Sequence, residues 1–177
     1  MPRSHPEGRD WAVDRIAATT TPVVVDIGCG EGTYSDLARG WRADAHWIGV
    51  EIHAPYVDRF ELTRKYDEVV IADARTYSFP REPFTLLAGD VIEHLTRPDA
   101  LAFLARARAA AAEIMVSVPI IDYPQHGHDG NEHEAHLDQW TFDEMADQLP
   151  GCDTWRGDVV GRYWWTASPT SDRTDPR

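Results

Sequence analysis

Residues 23–32 read Val-Val-Val-Asp-Ile-Gly-Cys-Gly-Glu-Gly, and this run constrains the fold more than any other. A β-branched stretch without alternating polar residues suits a strand buried on both faces. It ends in an acid and then a glycine-rich turn, and a helical pattern begins at once. Glycines at 28, 30 and 32 let the chain adopt positive φ and approach a ligand with no Cβ in the way, so the turn reads as a cofactor loop. One residue separates the second and third glycines. The dinucleotide fingerprint has two, which argues against a NAD-dependent oxidoreductase.

Apolar runs and helical patterns alternate after this loop. Strands are predicted at 23–27, 46–52, 68–72, 84–89 and 114–118, and helices at 33–39, 54–65 and 98–112. Near-continuous apolar strands in β-α-β order imply an α/β fold with a parallel, doubly wound sheet covered by helices on both faces. After Pro119 comes a polar, histidine-rich loop at 120–140, followed by a helix at 141–149. A loop of that length inside one domain points to function. Strands at 154–160 and 162–167, joined at Gly161, read as an antiparallel hairpin closing the sheet. The expected organisation is an N-terminal segment and helix at 1–20, one domain at 21–167, and a flexible tail at 168–177. Residues 1–9 and 168–177 are expected to fray, being rich in Pro, Arg, Asp, Ser and Thr.

Seventeen Lys and Arg face thirty Asp and Glu, a formal charge of −13. Such a chain repels polyanions, which disfavours nucleic acid as a partner. Cys29 and Cys152 lie too far apart to suggest a disulfide framework, so a reducing cytoplasm is expected. No early run suits a signal peptide or membrane span. A homodimer is left open.

The Asp26 to Gly32 loop resembles the first motif of class I S-adenosylmethionine (SAM)-dependent methyltransferases: an acid, any residue, then G-x-G-x-G. Three further strand ends support the resemblance in the same order: Glu51, then Asp73-Ala74, then Asp90. The resemblance implies a Rossmann-like seven-stranded sheet with its last strand reversed. It also implies that SAM, leaving as S-adenosylhomocysteine, lies along Gly28, Cys29, Gly30 and Gly32, with Asp26 at its ammonium end. Glu51 would take the ribose hydroxyls, Ile52 would flank the adenine, and Asp73 and the Ala74 amide would meet the adenine edge.

Asp90-Val-Ile-Glu93-His94-Leu resembles a block common in this superfamily after strand four, which places Asp90 at the methionine end and Glu93 and His94 beside the acceptor. Four of eight histidines fall within 126–136. His133-Glu-Ala-His136 is one residue short of a zinc-protease helix motif. His136 to Thr141 instead resembles the H-x-x-x-W/F-T stretch of small methyltransferases. His136 is therefore the first candidate for general base and His133 the second, with Asp90 also in the catalytic set. Trp11, Tyr123 and Trp140 are candidates for the pocket wall.

Methyl transfer to a small-molecule hydroxyl, on a metabolite or sugar, is the expected activity. Two alternatives stand beside it. One is a Hen1-type RNA 3′-terminal 2′-O-methyltransferase, in which Asp90, Glu93, His94 and His136 would hold a divalent metal. The other is a non-catalytic SAM-binding partner subunit. Because the surface is acidic and that family's RNA-binding parts are missing, no required metal is expected.

Overall fold

The computed structural model describes residues 4–128 and 130–168. Seven strands form one sheet: β1 (Val23–Ile27), β2 (His46–Glu51), β3 (Glu68–Ile71), β4 (Phe84–Gly89), β5 (Glu113–Pro119), β6 (Asp153–Arg156) and β7 (Val160–Thr166). Their order is β3-β2-β1-β4-β5-β7-β6, with parallel pairs from β3 through β5 and β7 antiparallel to both neighbours. This is the doubly wound α/β architecture expected. The chain reverses its direction of travel across the sheet between β1 and β4, and the crevice that opens there at the carboxyl ends is where such folds bind ligands.

Period-two alternation divides each central strand between two cores. Val23, Val25 and Ile27 join Leu86, Ile114 and Val116 on one face, against Phe103 and Leu104 of α5 (Arg97–Ala110) and Met145 of α6 (Phe142–Gln148). Val24, Leu87 and Met115 point the other way, toward Ala12 and Ile16 of α1 (Arg9–Ala18) and Tyr34 of α2 (Thr33–Ala38). In α5 the buried positions 100, 103, 104 and 107 make one helical stripe. Thr141 and Glu144 form a capping box that starts α6 where the Trp-Thr pair indicated.

Three expectations need correction. The helix predicted at 54–65 is two helices, α3 (Pro55–Arg59) and α4 (Leu62–Lys65), separated by a left-handed Glu61 at φ 51°. Tyr56 and Leu62 are both buried, yet six residues along one helix would turn them to different faces, so the break lets both pack. The hairpin turns at 157–159 and not at Gly161, which lies inside β7 opposite Val118, where any Cβ would collide with the Tyr163 hydroxyl. Residues 4–9 are not frayed. They cross the carboxyl end of the sheet and bond to Asp90, Tyr34 and Arg162. The tail beyond Ser168 lies outside the described residues. No helix among the described residues is long and apolar enough to cross a membrane.

Candidate active site

A cavity of about 360 Å³ occupies the crevice and receives the ends of β1, β2, β4 and the loops after β3 and β5. On its glycine-loop side, Gly28, Gly30 and Gly32 all have positive φ, at 63°, 52° and 83°. Gly28 is required a second time by contact, since a Cβ there would stand 2.7 Å from a Val91 methyl. The Gly28 and Cys29 amides both donate to the Val50 carbonyl, at 2.8 and 3.1 Å, which folds the loop across the end of β2. That fold brings the Gly30 N–H to 2.9 Å from Glu51 Oε2, while the His53 N–H donates to Oε1 at 2.8 Å. Glu51 is buried and lines the cavity, with one amide on each oxygen. A carboxylate oxygen accepts more than one hydrogen bond, so this group can still take two hydroxyls from a diol. Burial pushes its pKa up, and the two amides oppose that.

Asp26 lies deeper, takes the Tyr66 hydroxyl at 2.6 Å, and has its pKa pushed up to about 7 by burial, with the Glu51 charge adding to the rise. Burial also raises the Cys29 thiol well above its usual range, which leaves it a packing group and no nucleophile. Ile52 and Ala74 line the cavity as expected. Asp73 lines it too, but its carboxylate is gripped by Arg75 at 2.5 Å, which lowers its pKa.

The opposite side is built from the block at 90–94 and the histidine-rich loop. Asp90 adopts a left-handed conformation at φ 57°, costly for a residue with a Cβ and held by three bonds. Its N–H donates to the Ser117 carbonyl at 2.9 Å, its Oδ1 accepts the Ser117 hydroxyl at 2.7 Å, and its Oδ2 accepts the His5 N–H at 2.6 Å. Glu93 follows in a short 3-10 turn, 2% exposed, and neither carboxylate oxygen has a hydrogen-bond partner among the described residues. Burial, then the charge of Asp90, pushes its pKa well above the carboxylate range.

The Glu93 carbonyl accepts the Leu137 and Asp138 amides, stitching the histidine-rich loop to this turn. His94 Nδ1 lies 3.1 Å from the Ala135 carbonyl, and His136 Nδ1 lies 2.7 Å from the Tyr123 carbonyl. A carbonyl only accepts, so both Nδ1 atoms carry the proton and both Nε2 atoms keep a lone pair. Burial lowers both pKa values, which keeps the rings neutral near pH 7. The rings meet edge to face at 4.7 Å, and one donor atom from each of Glu93, His94 and His136 lies within 4.8 Å of the other two.

Other expected residues are placed differently. His133 is not in this cluster; it sits on the 3-10 turn at Glu132–Glu134 and lines the cavity separately. Asp90 also stands outside the cluster. Tyr123 lines the cavity, but Trp11 and Trp140 do not. Trp140 is buried in the core under the Arg97 guanidinium at 3.6 Å, and Trp11 packs beneath Arg15. Sequence reasoning missed Glu134, which takes the Tyr56 hydroxyl at 3.1 Å and ties the histidine-rich loop to α3. It also missed Ser4, His5 and Pro6, which line the cavity. No periodicity or motif signals either group.

The methyltransferase-domain family model matches residues 24–113, more than half of the chain. No curated protein matches it by sequence. Among solved structures it is similar to the N-terminal domain of EvdMO1 with S-adenosylhomocysteine bound, at 15% identity and TM-score 0.67, over 93% of this chain and 83% of that one. It is also similar to the methyltransferase domain of a bacterial Hen1, CtHen1-C, at 19% identity and TM-score 0.66, over 90% and 96%. A third is the 1,6-didemethyltoxoflavin-N1-methyltransferase of Burkholderia thailandensis, at 17% identity and TM-score 0.61, over 92% and 83%. The fold, with its glycine loop and strand-end acids, is that of a class I methyltransferase. The chain belongs to the methyltransferase-domain family and is a SAM-dependent methyltransferase.

Proposed function

We propose that the protein moves a methyl group from SAM to a hydroxyl of a small molecule, a metabolite or a sugar. The observation that carries this reading is a neutral His136 whose Nδ1–H is fixed by the Tyr123 carbonyl, so that the Nε2 lone pair is the free one. SAM lies along Gly28, Cys29, Gly30 and Gly32, with Glu51 on the ribose hydroxyls, Ile52 and Ala74 against the adenine, Asp73 at the adenine edge, and Asp26 and Asp90 toward the methionine end. The acceptor oxygen attacks the methyl carbon in line, the carbon–sulfur bond breaks, and Nε2 of His136 takes the hydroxyl proton. Asp90, its carboxylate fixed by Ser117 and His5, joins the catalytic set by orienting the methionine end beside the acceptor. His133, which also lines the cavity, is the second candidate for this base. Incubating the protein with SAM and a panel of hydroxylated metabolites and sugars is expected to yield a singly methylated product by mass spectrometry. Tight SAM binding with no turnover on any acceptor would instead favour the partner-subunit reading.

The acidic cavity supports a small acceptor over RNA. Asp26, Glu51, Asp73, Asp90, Glu93 and Glu134 line it, and its one lining Arg or Lys among the described residues, Arg75, is held by Asp73 and Asp99. A phosphodiester end would meet repulsion there.

The Glu93, His94 and His136 cluster favours a second reading. A buried carboxyl with no partner and two bare imidazole nitrogens fit a divalent cation, which when bound would polarise an acceptor hydroxyl. The Hen1 resemblance would add Asp90, which lies outside this cluster of three. Burial favours the protonated form of Glu93, which works against a cation binding there. Transfer is therefore expected to survive EDTA. Activity lost to EDTA and restored by magnesium, manganese or cobalt would establish the second reading and make an RNA 3′ end the first acceptor to test.

SAM affinity should also depend on pH. SAM is cationic and draws the ionised form of Asp26, so affinity is expected to rise as pH increases through about 7 and then level off. Below that, it falls by at most about tenfold per pH unit for one linked proton. For folding the sign is opposite: Asp26's contribution to stability is full below its ordinary value of 3.8 and is lost as pH rises through about 7. Calorimetric titrations of wild type and Asp26→Asn across this range check the assignment, and an unchanged slope in the variant rejects it.

A further inference from the structure

Arg162 in β7 is completely buried, and among the described residues the three acceptors of its guanidinium are neutral. Nε donates to the Glu7 carbonyl at 2.6 Å, Nη1 to the Tyr34 hydroxyl at 2.7 Å and Nη2 to the His5 carbonyl at 2.7 Å. Burying a guanidinium without a carboxylate partner is costly, and here the acceptors come chiefly from the segment 4–7. The same segment is held at three more points. The His5 N–H donates to Asp90 Oδ2, and the Ser4 hydroxyl meets the Tyr34 hydroxyl at 3.1 Å. The Glu7 carboxylate takes the N–H groups of Asp158, Val159 and Val160 at 3.3, 2.9 and 3.1 Å, which fastens the segment to the turn between β6 and β7. Ser4, His5 and Pro6 thus form a wall of the cavity beside Asp90, together with Val159 and Val160.

We infer that the segment 4–7 is a lid over the Asp90 end of the cavity and that Arg162 is the residue that positions it. Closure satisfies Arg162 and fixes the Asp90 carboxylate through the His5 N–H. Opening exposes the cavity's Asp90 end to solvent, so the lid controls how fast SAM enters and S-adenosylhomocysteine leaves. Arginine suits the task because its planar fork reaches three separate acceptors, whereas a lysine ammonium concentrates its donors at one point.

The test uses the full chain with Glu7→Ala, Glu7→Gln, Arg162→Lys and the Glu7→Ala/Arg162→Lys double variant. S-adenosylhomocysteine is the probe, with dissociation followed by stopped-flow and amide exchange read on the peptide spanning residues 4–8. In wild type, ligand is expected to slow exchange in that peptide. Glu7→Ala and Arg162→Lys should each release ligand about tenfold faster, in line with the loss of charge-assisted hydrogen bonds. Glu7→Gln should recover part of that loss, since it keeps one acceptor oxygen. The double variant should release ligand no faster than the quicker single variant, because both act through one segment. Wild-type release in Glu7→Ala, effects that multiply in the double variant, or exchange in residues 4–8 indifferent to ligand would each overturn the inference. Glu7 is partly exposed, so its variants keep the test decisive even where Arg162→Lys fails to fold.

Discussion

His136→Ala is expected to lower the methyl-transfer rate by about two to four decades, the usual worth of a positioned general base, while SAM affinity stays nearly unchanged. The geometry gives the reason for this split. His136 meets His94 edge to face and is pinned by the Tyr123 carbonyl, whereas Glu51 and the glycine loop form the far side of the cavity. Alanine removes the more exposed of the two neutral imidazoles whose Nε2 lone pair suits taking a hydroxyl proton, since its neighbour His94 is held in a more buried position. Single-turnover rates with calorimetric SAM binding check the prediction. Wild-type turnover in the variant would return His136 to a packing role, and loss of cofactor binding would move it into the SAM site.

The second large effect is expected at Glu51. Glu51→Ala should weaken SAM binding by about 1.5–3 kcal/mol, roughly one to two decades, through the loss of charge-assisted bonds to the ribose hydroxyls. Part of that loss comes through the protein, since the carboxylate also holds the Gly30 and His53 amides and so shapes the loop on which the cofactor lies. The fold should survive, because β2 keeps its ladder bonds to β1 and β3 and burial already disfavours the charged form of this group. Calorimetry on the folded variant decides the matter, and equal affinity for wild type and variant would reject the ribose contact.

Local pattern was informative wherever a residue's role follows from its own strand or turn. The glycine loop, Glu51, Asp73 and Asp90 were legible because each lies at the carboxyl end of a parallel strand, and the fold brings those ends together whatever the intervening helices do. The histidine cluster was half legible. His94 and His136 resembled known stretches, but only the backbone carbonyls of Ala135 and Tyr123 fix their tautomers, and those contacts span the loop. The position of His133 was not legible for the same reason: three residues from His136 in sequence, it lies on the 3-10 turn that Asn131 caps and lines the cavity outside the cluster of Glu93, His94 and His136.

From its sequence alone, this chain was legible as an α/β domain with a glycine loop after β1, acids at successive strand ends and a functional loop after β5. These are short-range properties of hydrophobic period, glycine and turn chemistry. Tertiary structure decided the rest: the broken helix at Glu61, the turn displaced from Gly161, the unpartnered burial of Glu93, and the ordering of residues 4–9 against Arg162 some 155 positions away. The physical reason is that each depends on which distant groups supply the hydrogen bonds and fill the space. A polar N-terminal segment such as this one has little apolar surface of its own to bury, and it becomes ordered because a buried guanidinium and the end of a sheet need its carbonyls and amides.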